Sequence, residues 1–345
     1  MDPPRFRATS PCMRVLVTGA SGFLGSYIAE QLSKRGDQVR CLVRKSSSRK
    51  FLDTLQNIEY ANGSVEDRDS VFRACEGVDA IVHSAGLVKA RAPSEFHLVN
   101  VEGTRNMLDG AVAAGKKDGA NKLKRFVFVS SLAAVGPSRD GTPVRSDAVP
   151  SPVTHYGRSK LESEKLVLSM KEALPVTVIR PPMIYGPRDT ESLQLFQWVA
   201  RGILPMNGDG SNTLSLIYAD DAASACVRAI DSDAANGKSY FVEDGSVYEW
   251  KLALRDIENA LGKKAFVRFG IPFSVVRAMA LASEVYGKVS DKAMMLTRDK
   301  VNELEQKHWV CSAADTKNDL GWTPEVPWSE GTKRAVDWYR KEGWL

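Results

Sequence analysis

The stretch from Arg14 to Leu32 narrows the choice of folds most. An apolar run, Arg14-Val-Leu-Val-Thr18, passes straight into Gly19-Ala-Ser-Gly22-Phe-Leu-Gly25 and then into a helical pattern. Short runs of apolar, β-branched residues read as buried strands. Glycines just after such a strand permit a tight turn, close backbone approach to a phosphate and close helix packing. A helix opening near Gly22 points its free N–H groups and the positive end of its dipole at an anion, with no basic side chain required. Gly19, Ser21, Gly22, Phe23, Leu24 and Gly25 are therefore candidate contacts for a dinucleotide pyrophosphate. The spacing, G-x-x-G-x-x-G, differs from the G-x-G-x-x-G fingerprint, and a purely structural turn is the alternative.

Strand patterns recur at Gln38–Val43, Ile58–Asn62, Ala80–His83, Arg125–Ser130 and Val176–Arg180, separated by helical segments. Such alternation implies right-handed crossovers and an α/β, doubly wound parallel sheet of the Rossmann type. Pro181 to Pro187 cannot be helical, because each proline lacks an N–H and restricts the residue before it. Ser239–Glu243 reads as a last strand returning to the sheet. The expected organisation is a disordered tail over 1–12 and a cofactor domain over 13–187, to which 215–245 returns. A smaller C-terminal substrate lobe takes 188–214 and 246–345. The proline-rich loop Asp140–Pro152 is expected to lie over the site.

Composition excludes several classes. The 345 residues are 43% hydrophobic and 26% charged, enough for a sizeable core. The net charge of +5 is spread along the chain, and its dense basic patches, Arg44–Lys50 and Lys116–Arg125, are short. Nucleic acid is therefore not expected as a partner. Five cysteines, odd in number and without paired spacing, suit a reducing cytoplasm and offer no metal site. The N-terminal residues lack the apolar core of a secretion signal. Ile271–Val285 is apolar yet too short to span a bilayer. It reads as core or as a lid over an apolar substrate, with membrane-surface contact as the alternative.

Arg44 and Lys45 end the second strand about 25 residues beyond Gly19, where an acidic residue would select NAD through the ribose hydroxyls. Basic side chains there can pair instead with a 2′-phosphate. NADP is the expected cofactor, with NAD, and a merely solvated basic loop, as alternatives. Ser84, Ala85 and Gly86, small residues after the fourth strand, permit a close cofactor approach. His83, ending that strand, reads as a packed histidine.

Tyr156 and Lys160 are spaced to share one helical face. A free tyrosine, with a pKa of about 10, is a poor base at neutral pH, but a neighbouring ammonium favours its phenolate. Tyr156 can then exchange a proton with a substrate oxygen while hydride moves to or from a nicotinamide. Ser131, at a strand end, would hydrogen-bond the same oxygen. Asn100, in the helical segment Glu95–Ala114, is placed to help hold Lys160 through its backbone or a water.

With these pieces in order, the chain resembles the extended short-chain dehydrogenase/reductases, the NAD-dependent epimerase/dehydratase family, over nearly its whole length. The matching segments are Thr18–Gly25, Ser130-Ser131, Tyr156-Gly-Arg-Ser-Lys160, Arg180–Pro187 and Ile217-Tyr-Ala-Asp-Asp221. The resemblance implies a Ser131, Tyr156 and Lys160 triad and nicotinamide contacts from the backbone of Pro182, Met183 and Ile184. It also implies a homodimer through helices at Glu95–Ala114 and Tyr156–Glu172. Gly63-Ser64-Val65-Glu66-Asp67 looks like the family's G-D-L-x-D, which puts Ser64 and Val65 at the adenine, with Ser64 replacing the usual aspartate. Gly208–Leu214 looks like the stretch that ends, in nucleotide-sugar enzymes, in an arginine on the diphosphate. Leucine cannot bind a diphosphate, unless Arg188 or Arg201 substitutes for the missing arginine. The expected reaction is NAD(P)H-dependent hydride transfer at a secondary alcohol or ketone of a small apolar substrate. The resemblance is nearest to 3β-hydroxysteroid dehydrogenases, dihydroflavonol reductases and long-chain β-keto acid reductases. A nucleotide-sugar epimerase or dehydratase, and a non-catalytic cofactor-sensing regulator, are the alternatives.

Overall fold

The computed structural model describes residues 12–117 and 123–345. Apart from Cys12, the expected tail lies outside the described residues, as does part of the patch Lys116–Arg125. The strands are β1 (Arg14–Thr18), β2 (Gln38–Val43), β3 (Ile58–Asn62), β4 (Ala80–His83), β5 (Arg125–Val129), β6 (Val176–Arg180), β7 (Met183–Tyr185), β8 (Ile203–Asn207), β9 (Thr213–Leu214), β10 (Leu216–Tyr218), β11 (Lys238–Phe241), β12 (Tyr248–Glu249), β13 (Val267–Ile271) and β14 (His308–Trp309).

Seven of them form one parallel sheet in the order β11-β6-β5-β4-β1-β2-β3. The order reverses at β1, and crossovers on either side leave a crevice at the carboxyl ends there. Both faces are covered, so the central strands are apolar almost throughout: β4 and β5 are buried at every position. One apolar layer joins β1 to helices Phe23–Arg35 and Ala219–Asp231, and the other packs the opposite face against Arg68–Cys75 and Gly103–Lys117. A third core around Tyr185, Phe196, Trp328 and Tyr339 holds the C-terminal lobe.

The segment Pro181–Pro187 is extended, as its prolines require, and β7 pairs in parallel with β10. The loop over Asp140–Pro152 is a correction to the sequence reading. It turns away from the crevice and packs along the segment after β14: Val144 bridges Cys311, and the Ser146 hydroxyl donates to Asp315. Arg180, paired with Glu164 in the interior, also donates to the Ser146 carbonyl. These bonds satisfy polar groups that the loop would otherwise bury unpaired.

Helix Phe273–Ser290 is neither core nor wholly a lid. Only Val276, Ala280 and Gly287 are buried, while much of its apolar surface faces out. No helix among the described residues is long and apolar enough to cross a membrane.

Candidate active site

The glycine loop has the form a dinucleotide needs. Gly19 has a φ of 71°, and a Cβ there would stand 2.8 Å from the Ala85 nitrogen, so a side chain would be both strained and blocked. A Cβ on Gly25 would meet the Gly19 carbonyl oxygen at 2.1 Å, so only glycine lets the helix start this close to the turn. Gly22 caps helix Phe23–Arg35 with no side-chain hydrogen bond, which leaves first-turn N–H groups to an anion. The Thr18 hydroxyl receives the Ala85 N–H at 3.1 Å and meets His83 Nδ1 at 2.7 Å, fixing the second cofactor-side turn. His83 is fully buried between Thr18 and Thr104, and burial pushes its pKa down to about 3. It is neutral and structural.

The crevice continues into the lobe as one cleft of about 2190 Å³. Its walls include Gly19, Ser21, Gly22, Phe23, Leu24, Gly25, Arg44, Ser64, Val65, Ser84, Ala85, Gly86, Ser131, Tyr156, Lys160, Pro182, Met183 and Ile184. Lys45 and Asn100 are not in the wall. Lys45 is exposed beside it. Asn100 is buried in a π-helical turn, His97–Glu102, where its amide accepts the Leu87 N–H and donates to the Leu87 carbonyl and the Ser159 hydroxyl. Its own carbonyl accepts from Thr104 and Ser163. Asn100 thus ties the turn after β4 to the helix that carries Tyr156; the expected hold on Lys160 is not made, since that amine donates to the Val129 carbonyl instead.

That helix, His155–Ser169, is capped by the Thr154 hydroxyl, which accepts from the Gly157 N–H. Tyr156 in its first turn is half-buried and tilted against Phe96. Burial pushes the phenol up to about 12; the Ser131 hydroxyl acts in the opposite sense, and Glu303 adds to the rise. Lys160, one turn on, is buried over the Phe128 ring and donates to the Val129 carbonyl at 2.6 Å. Burial lowers its pKa to about 7, with Glu164 acting against the fall. Ser131 caps the short helix Leu132–Val135 and so stands at the carboxyl end of β5 facing the cleft. The Ser, Tyr and Lys therefore converge where strands β4 and β5 end.

Met279, from the apolar stretch Ile271–Val285, lines the substrate end with Leu214. Sequence reasoning missed the rest of the lobe wall there: Trp250, Met294, Met295, Leu296 and Trp309. The run Met294-Met295-Leu296 was the available signal. Ser47 beside Arg44, and Glu66, which accepts from the Ser64 hydroxyl at 2.9 Å, were also missed. Arg188 does not replace an arginine at position 214. It ion-pairs with Glu30, stacks on Tyr27 and Phe51, and stays out of the cleft, as does Arg201.

The model of the NAD dependent epimerase/dehydratase family matches residues 15–242. A ceramide reductase of Caulobacter vibrioides is 31% identical over 335 residues, 96% of each chain. A 2-alkyl-3-oxoalkanoate reductase of Stenotrophomonas maltophilia is 29% identical, over 93% of this chain and 98% of its own. The solved dTDP-glucose 4,6-dehydratase DesIV of Streptomyces venezuelae superposes with a TM-score of 0.78 over 96% of this chain and 99% of its own, at 24% identity. That likeness is one of fold alone.

Proposed function

The chain belongs to the NAD dependent epimerase/dehydratase family, as an NAD(P)-dependent dehydrogenase/reductase of the extended short-chain type, and within it we propose an NADP(H)-dependent reductase of ketones on apolar, lipid-like skeletons. One observation carries the reading: the substrate end of the cleft is walled by Leu214, Met279, Met294, Met295, Trp250 and Trp309, while its arginines are neutralised. Arg91 pairs with Glu95 and Asp291, Arg277 with Glu305 and Arg298 with Glu284. A sugar diphosphate would need free, directed guanidinium groups. Apolar walls with a few polar groups suit a greasy ketone. The relatives named for ceramide and for 2-alkyl-3-oxoalkanoates support the same class.

Arg44 supports NADP over NAD. Among the described residues it is the one cleft-lining arginine without an ion pair, and it lies at the end of β2 beside Ser47. A guanidinium and a hydroxyl together suit a 2′-phosphate.

The bound cofactor supplies the hydride. Tyr156 donates its phenolic proton to the carbonyl oxygen as that oxygen gains charge. Ser131 donates a hydrogen bond to the same oxygen, and the protonated Lys160 lowers the cost of leaving a phenolate behind. The test is NADPH consumption by purified protein with a long-chain β-keto ester, a ketosteroid, a dihydroflavonol and a UDP-sugar. Oxidation of NADPH with any of the apolar ketones is expected. Conversion of the UDP-sugar at no net cofactor cost, with the ketones inert, would replace the reading with an epimerase or dehydratase.

A further inference from the structure

We propose that the outer face of helix Phe273–Ser290 docks on an anionic phospholipid bilayer. This helix carries Val275, Met279, Leu281, Val285, Tyr286 and Val289 outward; Val285 is 56% exposed and Val289 83%. At about 100° per residue these side chains fall in one arc of roughly 160°, which contains only alanines besides them and Ser274. The buried residues, Val276, Ala280 and Gly287, lie on the opposite side. A helix of a water-bathed lobe would carry polar residues on this face. Here it is apolar and contiguous, the pattern of a helix lying in a membrane interface.

Charge selects the occupant. From Lys263 to Lys300 there are eight basic side chains and three acidic ones. The acidic ones are already matched: Glu284 by Arg298, Asp291 by Arg91 and Asp299 by Arg158. Lys288, at the edge of the arc, and Lys292, just past the end of the helix, are exposed and have no ion-pair partner among the described residues. Cations beside an apolar face match a surface of anionic headgroups over acyl chains. A second copy is disfavoured by the same lysines, because a two-fold contact sets a basic patch against itself. The geometry also joins this face to the cleft: Met279, within the outward arc, and Lys288, at its edge, both line the cleft. An apolar substrate could pass from bilayer to cleft without crossing water, a consequence that rests on the reductase reading, whereas docking itself does not.

The experiment is co-sedimentation of the full chain with phosphatidylcholine vesicles, with and without phosphatidylglycerol. Binding to the anionic vesicles is expected, with at least a ten-fold preference over neutral ones and a steep loss in high salt. Val285→Glu combined with Val289→Glu should reduce binding at least ten-fold while leaving the melting temperature and turnover of a water-soluble ketone unchanged, since both side chains are exposed and outside the cleft. Lys288→Glu with Lys292→Glu should weaken binding by about five-fold or more per site. Absence of binding, or binding indifferent to vesicle charge or to both pairs of substitutions, overturns the proposal. So does a concentration-dependent dimer that the valine substitutions abolish, which assigns the face to a second copy. Vesicle binding is read without turnover, so its failure and that of the reductase reading are separable.

Discussion

The Lys160 amine donates to the Val129 carbonyl across 2.6 Å, tying the helix that carries Tyr156 to the strand that delivers Ser131. The bond joins the two elements that carry Ser131, Tyr156 and Lys160. The amine is held where its charge is costly: burial lowers its pKa from 10.5 to about 7. Between those values the unfolded chain binds a proton that the folded one does not, so this lysine makes stability rise with pH across that range. Below about pH 7 both states are protonated and the burial penalty is felt in full. Lys160→Met should therefore abolish most turnover yet melt roughly 2–4 °C higher at pH 6, with the gain shrinking by pH 9.5. Thermal melts at the two pH values decide it; a variant that melts lower at pH 6 contradicts the account.

Tyr156→Phe keeps the ring and removes the proton donor. Turnover should fall by about 10²–10⁴, while cofactor affinity by fluorescence titration stays within about two-fold. In the parent enzyme burial raises the phenol pKa to about 12 and keeps the tyrosine protonated through neutral pH. Ketone reduction should hold at its maximum below about pH 7 and decline above it as Lys160 loses its proton, whereas alcohol oxidation, which needs the phenolate, should climb from about pH 6 to 9.

Much of this site was legible before any coordinates. The sheet strands, the glycine turn and the order of Ser131, Tyr156 and Lys160 follow from local periodicity and from side-chain types whose chemistry depends on spacing. What was not legible depends on distant partners. β8 pairs with β13 from far along the chain, and nothing within either strand specifies the other. The loop over Asp140–Pro152 carries ordinary turn residues, and only the segment around Cys311 and Asp315 explains why it leaves the cleft. Helix Phe273–Ser290 has an amphipathic pattern from which the apolar side was expected inward, and its exposure is a property of the lobe rather than of the helix. The π-helical turn gives Asn100 its place, and no residue in His97–Glu102 announces it.

His83 offers a test of the cofactor-side turn. Because burial holds its pKa at about 3, the folded protein refuses a proton that the unfolded chain accepts below about pH 6.5. The stability it contributes is present above that pH and is lost as pH falls towards 3. His83→Gln should show a shallower loss of unfolding free energy between pH 7 and 4 in urea titrations. An acid limb as steep as that of the parent would mean that other groups set it.

The proposed NADP preference rests on Arg44 pairing with the 2′-phosphate. Replacing Arg44 with Asp removes a charge-assisted contact worth about 1.5–3 kcal/mol, so the Kd for NADPH should rise roughly 10- to 150-fold with NADH little changed. Unmoved NADPH affinity would return Arg44 to the status of a solvated basic residue.

The most direct measurement follows the hydride. With 4-deuterated NADPH and a long-chain β-keto ester, mass spectrometry of the product should find deuterium on the new carbinol carbon and one NADP⁺ formed for each alcohol, with product formation about 10²–10⁴ slower in Tyr156→Phe. Ketones left untouched, alongside a nucleotide sugar rearranged with no net oxidation of cofactor, would contradict the central claim.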